Sequence, residues 1–433
     1  MWAGLREALP AGQIANSLAK LVRFPYFRQR WCVLTINPER MEVSPVQLLI
    51  FQPSPFCNLN CTYCYLPDRQ DKRVMDVEIV RTTVRRLREE KLLEPAVSII
   101  WHAGEPTVVR RERYAEYFAA IKEILGNSCE VAHHFQTNAT LIDDQWCDFF
   151  NEHQIAVGVS IDGPDYVHDY SRKSWSGHGT LEKTLRGIKA LQENEIEFHT
   201  ISVVGDRSLD HANEIYDFLA SLKPCLLAFN VEEQEGIHET SSLADRSDRV
   251  ERFFQELYDV ARTNAFDPPI REFENACGSI ATGGGSDFNT QVFPYRILTI
   301  SVDGAFTTFS PELLGMTSKA YGSLELGNIK TDSLRGALLS KKYEQLSSAI
   351  FAGVKRCEET CDFFDVCGGG TPANKLFETG TFDVAETRFC EQSLKIPVRI
   401  VLKDLETTLA GRGKPFAGSQ PGDKVHRLGP WDF

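Results

Sequence analysis

The sequence of 433 residues contains no apolar run of about eighteen residues, so no membrane-spanning helix is expected. It has no excess of positive charge either. The formal net charge is −13, which argues against nucleic acid or an anionic membrane as a partner, because phosphate groups are bound by clustered lysine and arginine. The one basic cluster, Arg81 to Lys91, is typical of the solvated face of a helix. A secretory signal is not expected, because Arg6 and Glu7 interrupt the short Leu/Ala stretch at the start, and we predict cytoplasmic residence.

Three of the twelve cysteines lie within one short segment, at Cys57, Cys61 and Cys64, with Tyr63 between the last two. In a reducing compartment, cysteine indicates metal binding or catalysis more often than a disulfide. Four-iron clusters normally take four thiolate ligands, so three thiolates on one loop predict a [4Fe–4S] cluster with one open iron. The alternatives are a zinc loop, which usually has four ligands, or reduced cysteines in the core.

A second group of cysteines lies far along the chain, at Cys357, Cys361, Cys367 and Cys390. Four thiolates would form a closed site. Ligand identity alone leaves the metal open, because both zinc and iron–sulfur clusters accept four thiolates. For the remaining cysteines we expect ordinary buried thiols; they are Cys32, Cys129, Cys147, Cys225 and Cys277.

Between residues 46 and about 240, strand-like and helix-like segments alternate. The predicted strands are 46–52, 97–101, 131–137, 155–161, 197–204 and 225–231, and the predicted helices are 76–91, 111–125, 141–152, 181–194 and 210–222. Six successive β-then-α units predict a parallel sheet with right-handed crossovers. Six units instead of eight predict an α/β fold with a partial (β/α)6 barrel, open on one side.

The rest of the chain divides around this barrel. Residues 1–45 are an N-terminal extension that we do not assign. We predict the partial barrel over 46–265, ending in a helix over 243–265, and a second domain over 266–400. That domain begins with a Gly-rich connection, which lacks the Lys-Ser/Thr of a phosphate loop, and a hairpin turning at Asp303-Gly304. Residues 401–433 are expected to be the end of a helix and a mobile tail.

Polar residues follow the ends of several predicted strands, where barrel enzymes place their chemistry. Glu105 follows the second strand, directly after the small residues Ala103 and Gly104, and Asn138 follows the third. Further along are Ser160, Asp162, Arg172, Asn230 and Glu232. Taken one at a time, each could be an ordinary turn or cap residue, so the set is more informative than any member.

The segment Cys57 to Cys64 resembles the signature of the radical S-adenosylmethionine (SAM) enzymes. The resemblance implies that the amino and carboxylate groups of SAM complete the open iron and that Tyr63 lies near the adenine. Residues 102–106 resemble the Gly-Gly-Glu motif of the family, with Ala103 in place of the first glycine. Backbone at Ala103 and Gly104 would approach the SAM methionine, and Glu105 would accept from its ammonium group.

Strings around Asn138, Ser160 to Pro164 and His168 to Arg172 resemble the peptide-modifying branch of this family. The resemblance implies that Ser160 and Arg172 hold the SAM carboxylate and that Asn138 lines the cofactor site. Asp162 is then a candidate base or substrate anchor.

The second cysteine group resembles the SPASM extension of radical SAM peptide maturases. The full extension holds two auxiliary clusters, and here Thr371 and the Phe309-Ser310 pair stand where further cysteines are expected. We therefore predict a smaller, twitch-like form of this extension. It would contain one auxiliary [4Fe–4S] cluster, held by Cys357, Cys361, Cys367 and Cys390. A zinc site with four thiolates is the alternative.

The subgroup that the chain most resembles is the cyclophane-forming maturases of glycine-rich-repeat peptides. The resemblance rests on Tyr65-Leu66-Pro67, on residues 310–315 and on residues 367–390. It implies a precursor peptide as substrate, a bond from an aromatic carbon to a Cβ with loss of two hydrogens, and a small reductant such as ferredoxin or flavodoxin. Two alternatives stay open: a sulfatase-type formylglycine maturase, which typically has both auxiliary clusters, and a non-catalytic iron–sulfur or zinc protein that senses redox state.

Overall fold

The computed structural model describes residues 45–282 and 289–409. The predictions for the N-terminal extension and for the tail after residue 409 lie outside the described residues, as does Gly283-Gly284-Gly285 of the Gly-rich connection.

Six parallel strands form the centre of the fold, as the sequence predicts. They are Val46–Phe51 (β1), Leu93–Trp101 (β2), Glu130–Thr137 (β3), Ala156–Ser160 (β4), Phe198–Val204 (β5) and Leu227–Val231 (β6). Each strand is hydrogen-bonded to the next in chain order, for example Phe51 beside Trp101 and Trp101 beside Phe135. Because all six strands run in the same direction, their carboxyl ends meet at one edge of the sheet.

Helices connect the strands and cover the outside of the sheet. They are Val77–Glu89 (α1), Arg111–Leu125 (α2), Asp144–Glu152 (α3), Asp165–Ser171 (α4), Leu181–Glu193 (α5), Ala212–Ser221 (α6) and Ser247–Thr263 (α7). Asp76 shows how they start: its side chain accepts a hydrogen bond from the Glu78 amide at the first turn of α1. Apolar residues three or four positions apart, such as Val80, Val84 and Leu87, then face the sheet.

The core lies between the sheet and the helices and is centred on Trp101. The Trp101 ring stacks on Phe51 with centroids 5.1 Å apart and on Tyr117 at 5.2 Å. Inside the barrel, a smaller apolar cluster is formed by Leu48, Ile50, Ile100 and Ile297. This packing fixes the strand ends from which the functional loops begin.

The predicted hairpin continues the barrel sheet. It consists of Ile297–Ile300 (β7) and Ala305–Thr308 (β8), and β7 pairs in parallel with β1, placing Leu48 beside Ile297. The remaining short strands are Thr317–Ser318 (β9), Gly322–Ser323 (β10) and Gly327–Asn328 (β11), of which β11 pairs with β8. The hydrogen-bonded sheet therefore crosses the predicted boundary at residue 265, and the division of the chain there stays a prediction.

The other helices follow the barrel in sequence. They are Arg271–Thr282 (α8), Leu334–Ala337 (α9), Lys341–Thr360 (α10), Phe364–Cys367 (α11), Pro372–Thr379 (α12), a π-helix at Cys390–Lys395, and Ile396–Leu409 (α13). In the described residues, short 3-10 turns lie at Pro106–Val108, Asp206–Ser208, Thr290–Val292 and Pro311–Leu313. Among the described residues, no helix combines the length and the apolar character needed to cross a membrane.

Candidate functional site

The loop with the first three cysteines lies directly beyond β1, at the carboxyl edge of the sheet. Two backbone hydrogen bonds fix it to the end of α4 and the residues that follow: the Asn60 amide donates to the Lys173 carbonyl at 2.6 Å, and the Thr62 amide donates to the Ser171 carbonyl at 3.0 Å. The Leu59 side chain is buried and anchors the middle of the loop. The three thiols are therefore held on a loop of defined shape.

The surroundings of Cys57 suit a thiolate that binds metal. The Leu59 amide donates to Cys57 Sγ at 3.4 Å, and Asn138 Nδ2 lies 4.0 Å from the same sulfur. Burial raises the pKa of Cys57 above its ordinary range and that of Cys61 to about 11. A buried thiolate is stabilised by a metal, so a cluster ligated by Cys57, Cys61 and Cys64 fits this loop.

Gly104 brings a second loop against the cysteine loop. It has φ of +62°, and an added Cβ would lie 2.5 Å from the Ser54 carbonyl oxygen and 2.6 Å from that of Phe56. Neither carbonyl can move freely, because both belong to the chain leading into Cys57. Ala103 has φ of +72°, a conformation that costs an alanine more than a glycine. The motif thus places backbone without side-chain bulk next to the predicted SAM site.

Glu105 ties β2 to β3. Its Oε1 accepts from the Thr107 amide at 2.9 Å and from Thr137 Oγ1 at 2.6 Å, and its Oε2 accepts from the Asn138 amide at 2.7 Å. The side chain is buried, and burial raises its pKa. A carboxylate has about four acceptor positions. Glu105 therefore has a structural role in joining β2 to β3. Its Oε2 can still accept one further hydrogen bond, and the predicted contact with the SAM ammonium group stays a prediction.

Asp162, Arg172 and Tyr63 form one closed group. Asp162 Oδ1 accepts from Arg172 Nε and from the Val203 amide, both at 3.0 Å, while Oδ2 accepts from the Tyr63 hydroxyl at 2.7 Å. The guanidinium of Arg172 also lies 5.4 Å from the centroid of the Tyr63 ring. Asp162 and Arg172 are only 2% and 6% exposed, so both charges are buried together. The group joins the cysteine loop to β4, α4 and β5.

Ser160 and Asn138 are also engaged by protein groups. Ser160 Oγ accepts from Gln136 Nε2 at 2.9 Å. Asn138 Nδ2 donates to Asn58 Oδ1 at 2.9 Å, which links β3 to the cysteine loop. Beside Asp162, burial lowers the pKa of His168 to about 4, so this imidazole is neutral. The structure therefore brings all the predicted SAM-site residues to one edge of the sheet, and their contacts with SAM stay predictions.

The second cysteine group converges in space. Cys357, Cys361, Cys367 and Cys390 come from the end of α10, the turn after it, the end of α11 and the start of the π-helix, and all four line one cavity. At Gly370, with φ of +75°, an added Cβ would lie 3.2 Å from Cys390 Sγ. Burial raises the pKa of Cys367 to about 11.

These thiols surround a space and do not meet at a point. In residues 45–282 and 289–409, no three His, Cys, Asp or Glu side chains are close enough together to hold a single metal ion. Four thiolates around a cavity fit a [4Fe–4S] cluster as donors, so we assign the four cysteines to such a cluster as a proposal.

The two positions where the full extension would carry more cysteines have other tasks. Phe309 is 1% exposed, and its ring lies parallel to that of Tyr343 with centroids 6.2 Å apart. Thr371 is the residue before the first turn of α12. Of the cysteines expected to be ordinary thiols, Cys129 and Cys147 are buried, Cys225 and Cys277 are partly exposed, and Cys32 lies outside the described residues.

Three half-buried carboxyl groups near the barrel mouth were not predicted from the sequence. Glu233 and Glu235 follow β6, and Glu312 follows β8. Burial raises the pKa of all three, and mutual repulsion adds to the effect for Glu233 and Glu235. Glu233 accepts a hydrogen bond from Asn374 of α12. The sequence does contain a signal for two of these groups, because three acidic residues lie within 232–235, directly after a predicted strand.

Asn230 and Glu232, which the sequence places at the same edge, are already engaged by protein side chains. Asn230 Oδ1 accepts from Arg271 at 2.5 Å, and Glu232 Oε1 lies 2.9 Å from His238 Nε2. Neither therefore adds a free polar group to the mouth of the barrel.

Comparison with known proteins identifies the barrel. The radical SAM superfamily matches residues 51–219. An uncharacterized protein of Synechocystis sp. is 35% identical over 372 residues, which is 84% of this chain and 93% of that protein. A serine-type anaerobic sulfatase-maturating enzyme of Bacteroides thetaiotaomicron is 24% identical over 388 residues, covering 80% of this chain and 87% of the enzyme.

Two solved structures share the fold. Native anSMEcpe with bound AdoMet and Cp18Cys peptide has a TM-score of 0.67 and 24% identity, over 85% of this chain and 100% of that one. Streptococcus suis SuiB bound to precursor peptide SuiA has a TM-score of 0.59 and 17% identity, over 80% of this chain and 76% of that one. These structures confirm the expected α/β barrel core, and the superfamily match confirms the expectation of an enzyme. With the superfamily match over the barrel and a relative of this identity along most of the chain, the protein belongs to the radical SAM superfamily, whose members use SAM and a [4Fe–4S] cluster.

Proposed function

We propose that this enzyme modifies a ribosomally made precursor peptide by oxidation, joining an aromatic ring carbon to a side-chain Cβ with loss of two hydrogens. The observation that carries the proposal is the pair of cysteine sites: three thiols at the mouth of the barrel and four around a separate cavity. The relatives support a peptide substrate, since SuiB is bound to a precursor peptide and anSMEcpe to the Cp18Cys peptide.

The first site provides what SAM needs. Cys57, Cys61 and Cys64 would hold the cluster, and Gly104 lets the loop after β2 pack directly against the backbone that leads into Cys57. The Asp162–Arg172–Tyr63 group fixes the cysteine loop to the strand ends, so that the loop keeps one shape. SAM bound to the reduced cluster supplies a 5′-deoxyadenosyl radical, which can take a hydrogen atom from an unactivated C–H bond.

Loss of two hydrogens requires acceptors for one hydrogen atom, one proton and one electron. For the proton we propose the carboxyl trio of Glu233, Glu235 and Glu312. The pKa of each of these groups is raised above that of an ordinary carboxyl group, toward neutral pH. A general base works best when its pKa is close to the pH of the reaction. Asp162 is less suited to this task, because Arg172, Tyr63 and Val203 already occupy its oxygens. We therefore assign a positioning role to Asp162.

For the electron we propose the auxiliary site. A [4Fe–4S] cluster held by Cys357, Cys361, Cys367 and Cys390 would supply a one-electron acceptor with no open iron. Phe309 and Thr371 leave no thiol at the two positions that mark a further cluster, which supports one auxiliary cluster. We also propose a small reductant, such as ferredoxin or flavodoxin, as the source of electrons for the first cluster, and residence in the cytoplasm.

The test is co-expression with short open reading frames that neighbour the gene, followed by tandem mass spectrometry of the peptides. We expect one peptide to lose two hydrogens and to show no fragments between the two joined residues. A variant in which Cys390 is replaced by alanine should leave the peptide unmodified. Production of 5′-deoxyadenosine without any peptide oxidation, across all the neighbouring frames, would contradict the proposal.

A sulfatase-type formylglycine maturase is the second candidate, because several relatives are named as sulfatase-maturating enzymes. Oxidation of serine to formylglycine also removes two hydrogens, so mass alone does not separate the two functions. A hydrazide reagent does, since it labels the aldehyde of formylglycine and leaves a carbon–carbon cross-link unlabelled. Labelling of the modified peptide would favour the second candidate.

A further inference from the structure

One lysine lies inside the auxiliary site. Lys375 is on α12 and is 2% exposed, and its Nζ lies 3.3 Å from Cys357 Sγ. Cys357 is on α10, so the two side chains approach from different helices. The buried ammonium group thus points at one of the four thiols that line the cavity.

Burying an ammonium group is costly unless a negative charge and hydrogen-bond acceptors compensate it. The carboxylate of Asp383 contributes only a weak attraction, because it is 36% exposed and both of its oxygens are engaged by Arg356, at 2.6 and 3.1 Å. A neutral thiol is a weak acceptor. A thiolate bound to a cluster carries negative charge, so the position of Lys375 makes physical sense when the four cysteines hold one.

Two glycines make room for this lysine. An added Cβ at Gly353 would lie 3.2 Å from Lys375 Nζ and 2.1 Å from the Phe382 carbonyl oxygen. An added Cβ at Gly370 would lie 3.4 Å from Lys375 Cε and 3.2 Å from Cys390 Sγ. The lysine end is therefore enclosed between the two glycine backbones, on the side of the cavity that holds Cys357 and Cys390.

Lys395 provides a contrast within the same cavity. It also lines the space between the four thiols, but its Nζ lies 2.7 Å from Glu386 Oε1. Its charge is therefore balanced by a carboxylate, whereas the charge of Lys375 faces sulfur.

We propose that Lys375 is a positioning residue that raises the reduction potential of the auxiliary cluster through a charged N–H···S hydrogen bond to Cys357. The inference rests on the proposed second cluster. Reduction adds one negative charge to a cluster, and a buried cation next to a ligating sulfur stabilises that reduced form. A higher potential makes the cluster a better acceptor for the electron that leaves the substrate.

The experiment uses the full chain in which Cys57, Cys61 and Cys64 are all replaced by alanine, so that only the auxiliary cluster is observed. Iron is counted anaerobically, and the midpoint potential is measured by redox titration followed by electron paramagnetic resonance. The variants are Lys375→Met, Lys375→Arg, and Lys355→Met as a matched control. Lys355 is on the same helix as Cys357, but its side chain is 73% exposed and pairs with Glu359.

We expect about four irons per chain in the parent. Lys375→Met should lower the equilibrium constant for reduction of the cluster at least tenfold. For one electron this corresponds to a midpoint potential lower by about 59 mV. Lys375→Arg and Lys355→Met should stay near the parent value. In the chain with all cysteines present, Lys375→Met should form more 5′-deoxyadenosine per modified peptide than the parent.

The outcomes separate the two claims. A parent that holds no iron contradicts the proposed auxiliary cluster itself. A loaded Lys375→Met variant with an unchanged potential overturns the role of Lys375 alone. If Lys375→Met holds no iron, the Lys375→Arg variant decides whether charge or shape is needed at this position. A cluster at the parent potential in Lys375→Arg supports the need for a positive charge. Loss of iron in Lys375→Arg as well shows that the shape of the side chain matters and overturns the proposed electrostatic role.

Discussion

The two cysteine sites of this chain are built in opposite ways. The first takes its three thiols from eight consecutive positions, Cys57 to Cys64, on a loop at the open edge of the barrel. The second takes its four thiols from four places between the end of α10 and the start of the π-helix and closes them around a cavity. Their charged neighbours differ as well. The carboxylate of Glu105 raises the pKa of Cys57, though less than burial does, whereas the ammonium of Lys375 faces Cys357.

The difference fits the tasks that we propose for the two sites. A cluster that binds another ligand needs an exposed corner, and a single loop can present three thiols while leaving the fourth side free. A cluster that only accepts an electron is served by full ligation and by positive charge nearby. The thiols of the first site are therefore neighbours in the sequence, while those of the second come together only when the chain is folded.

The largest expected effect separates the two sites directly. Replacing Cys57, Cys61 and Cys64 with alanine should abolish formation of 5′-deoxyadenosine and leave about four irons per chain at the second site. Cys390→Ala should do the reverse, keeping SAM cleavage and losing peptide oxidation. Cys147→Ala, which removes a buried thiol outside both sites, is the control for each. If the triple variant still cleaved SAM, the assignment of the two sites would be wrong.

The next effect concerns the buried ion pair that fixes the first site. Asp162→Asn should destabilise the chain by about 3–5 kcal/mol, because Arg172 is left buried without a counter-charge. In the double variant with Arg172→Met, a large part of this loss should be recovered, since neither charge then remains. Anaerobic urea unfolding of the four proteins measures the coupling. Losses that simply add would show that the two residues do not act as a pair.

A smaller effect is expected at the backbone beside the cysteine loop, where neighbouring residues should respond in opposite directions. Gly104→Ala should cost about 2–3 kcal/mol and weaken SAM binding, because its Cβ would press on the carbonyls of Ser54 and Phe56. Ala103→Gly should instead stabilise the chain by about 1 kcal/mol, since it relieves a positive φ. Thermal unfolding and calorimetric titration with SAM measure both. A stabilising Gly104→Ala would contradict the close approach of the two loops.

The smallest effect tests the carboxyl trio of Glu233, Glu235 and Glu312. Because burial raises the pKa of Glu312, the folded state binds that proton more tightly than the unfolded state. The stability contributed by this proton is present below the ordinary carboxyl pKa and is lost as the pH rises toward the raised value. Glu312→Gln should therefore have a higher melting temperature than the parent at pH 8 and a similar one near pH 4.5. The gain in the free energy of unfolding at pH 8 should be about 1 kcal/mol.

The exposed residue Glu116 supplies the control for this measurement: Glu116→Gln should leave the pH dependence unchanged. As a proposed base, Glu312 should also give peptide oxidation that rises with pH through neutrality in the parent. A parent rate that falls over the same range would argue against the trio as proton acceptor.

Much of the fold was predictable because the buried faces of strands and helices require apolar residues at regular spacings in the sequence. The six predicted strands are found within a few residues, although β2 begins at Leu93 and not at residue 97. The short helix Asp165–Ser171 was missed, because it lies directly after the Gly163-Pro164 turn and is too brief to show a period. Both cysteine groups were evident from residue type and spacing alone.

The contacts between distant segments were not predictable. Spacing places Arg172 near the mouth of the barrel, but it does not reveal that the guanidinium turns to Asp162. Glu312 meets Glu233 and Glu235 only because the hairpin β7–β8 is added to the barrel sheet. Lys375 and Cys357 are eighteen positions apart on two helices, and no sequence pattern connects them.

The parallel pairing of β7 with β1 determines how the chain tolerates being cut. Removal of the residues after 265 would strip one edge of β1 and leave the amides and carbonyls of Leu48 to Phe51 without their partners on that side. Exposed strand edges promote self-association. A truncated barrel should therefore aggregate, and the barrel and the segment that carries the second cysteine group must be inherited, expressed and engineered as one piece.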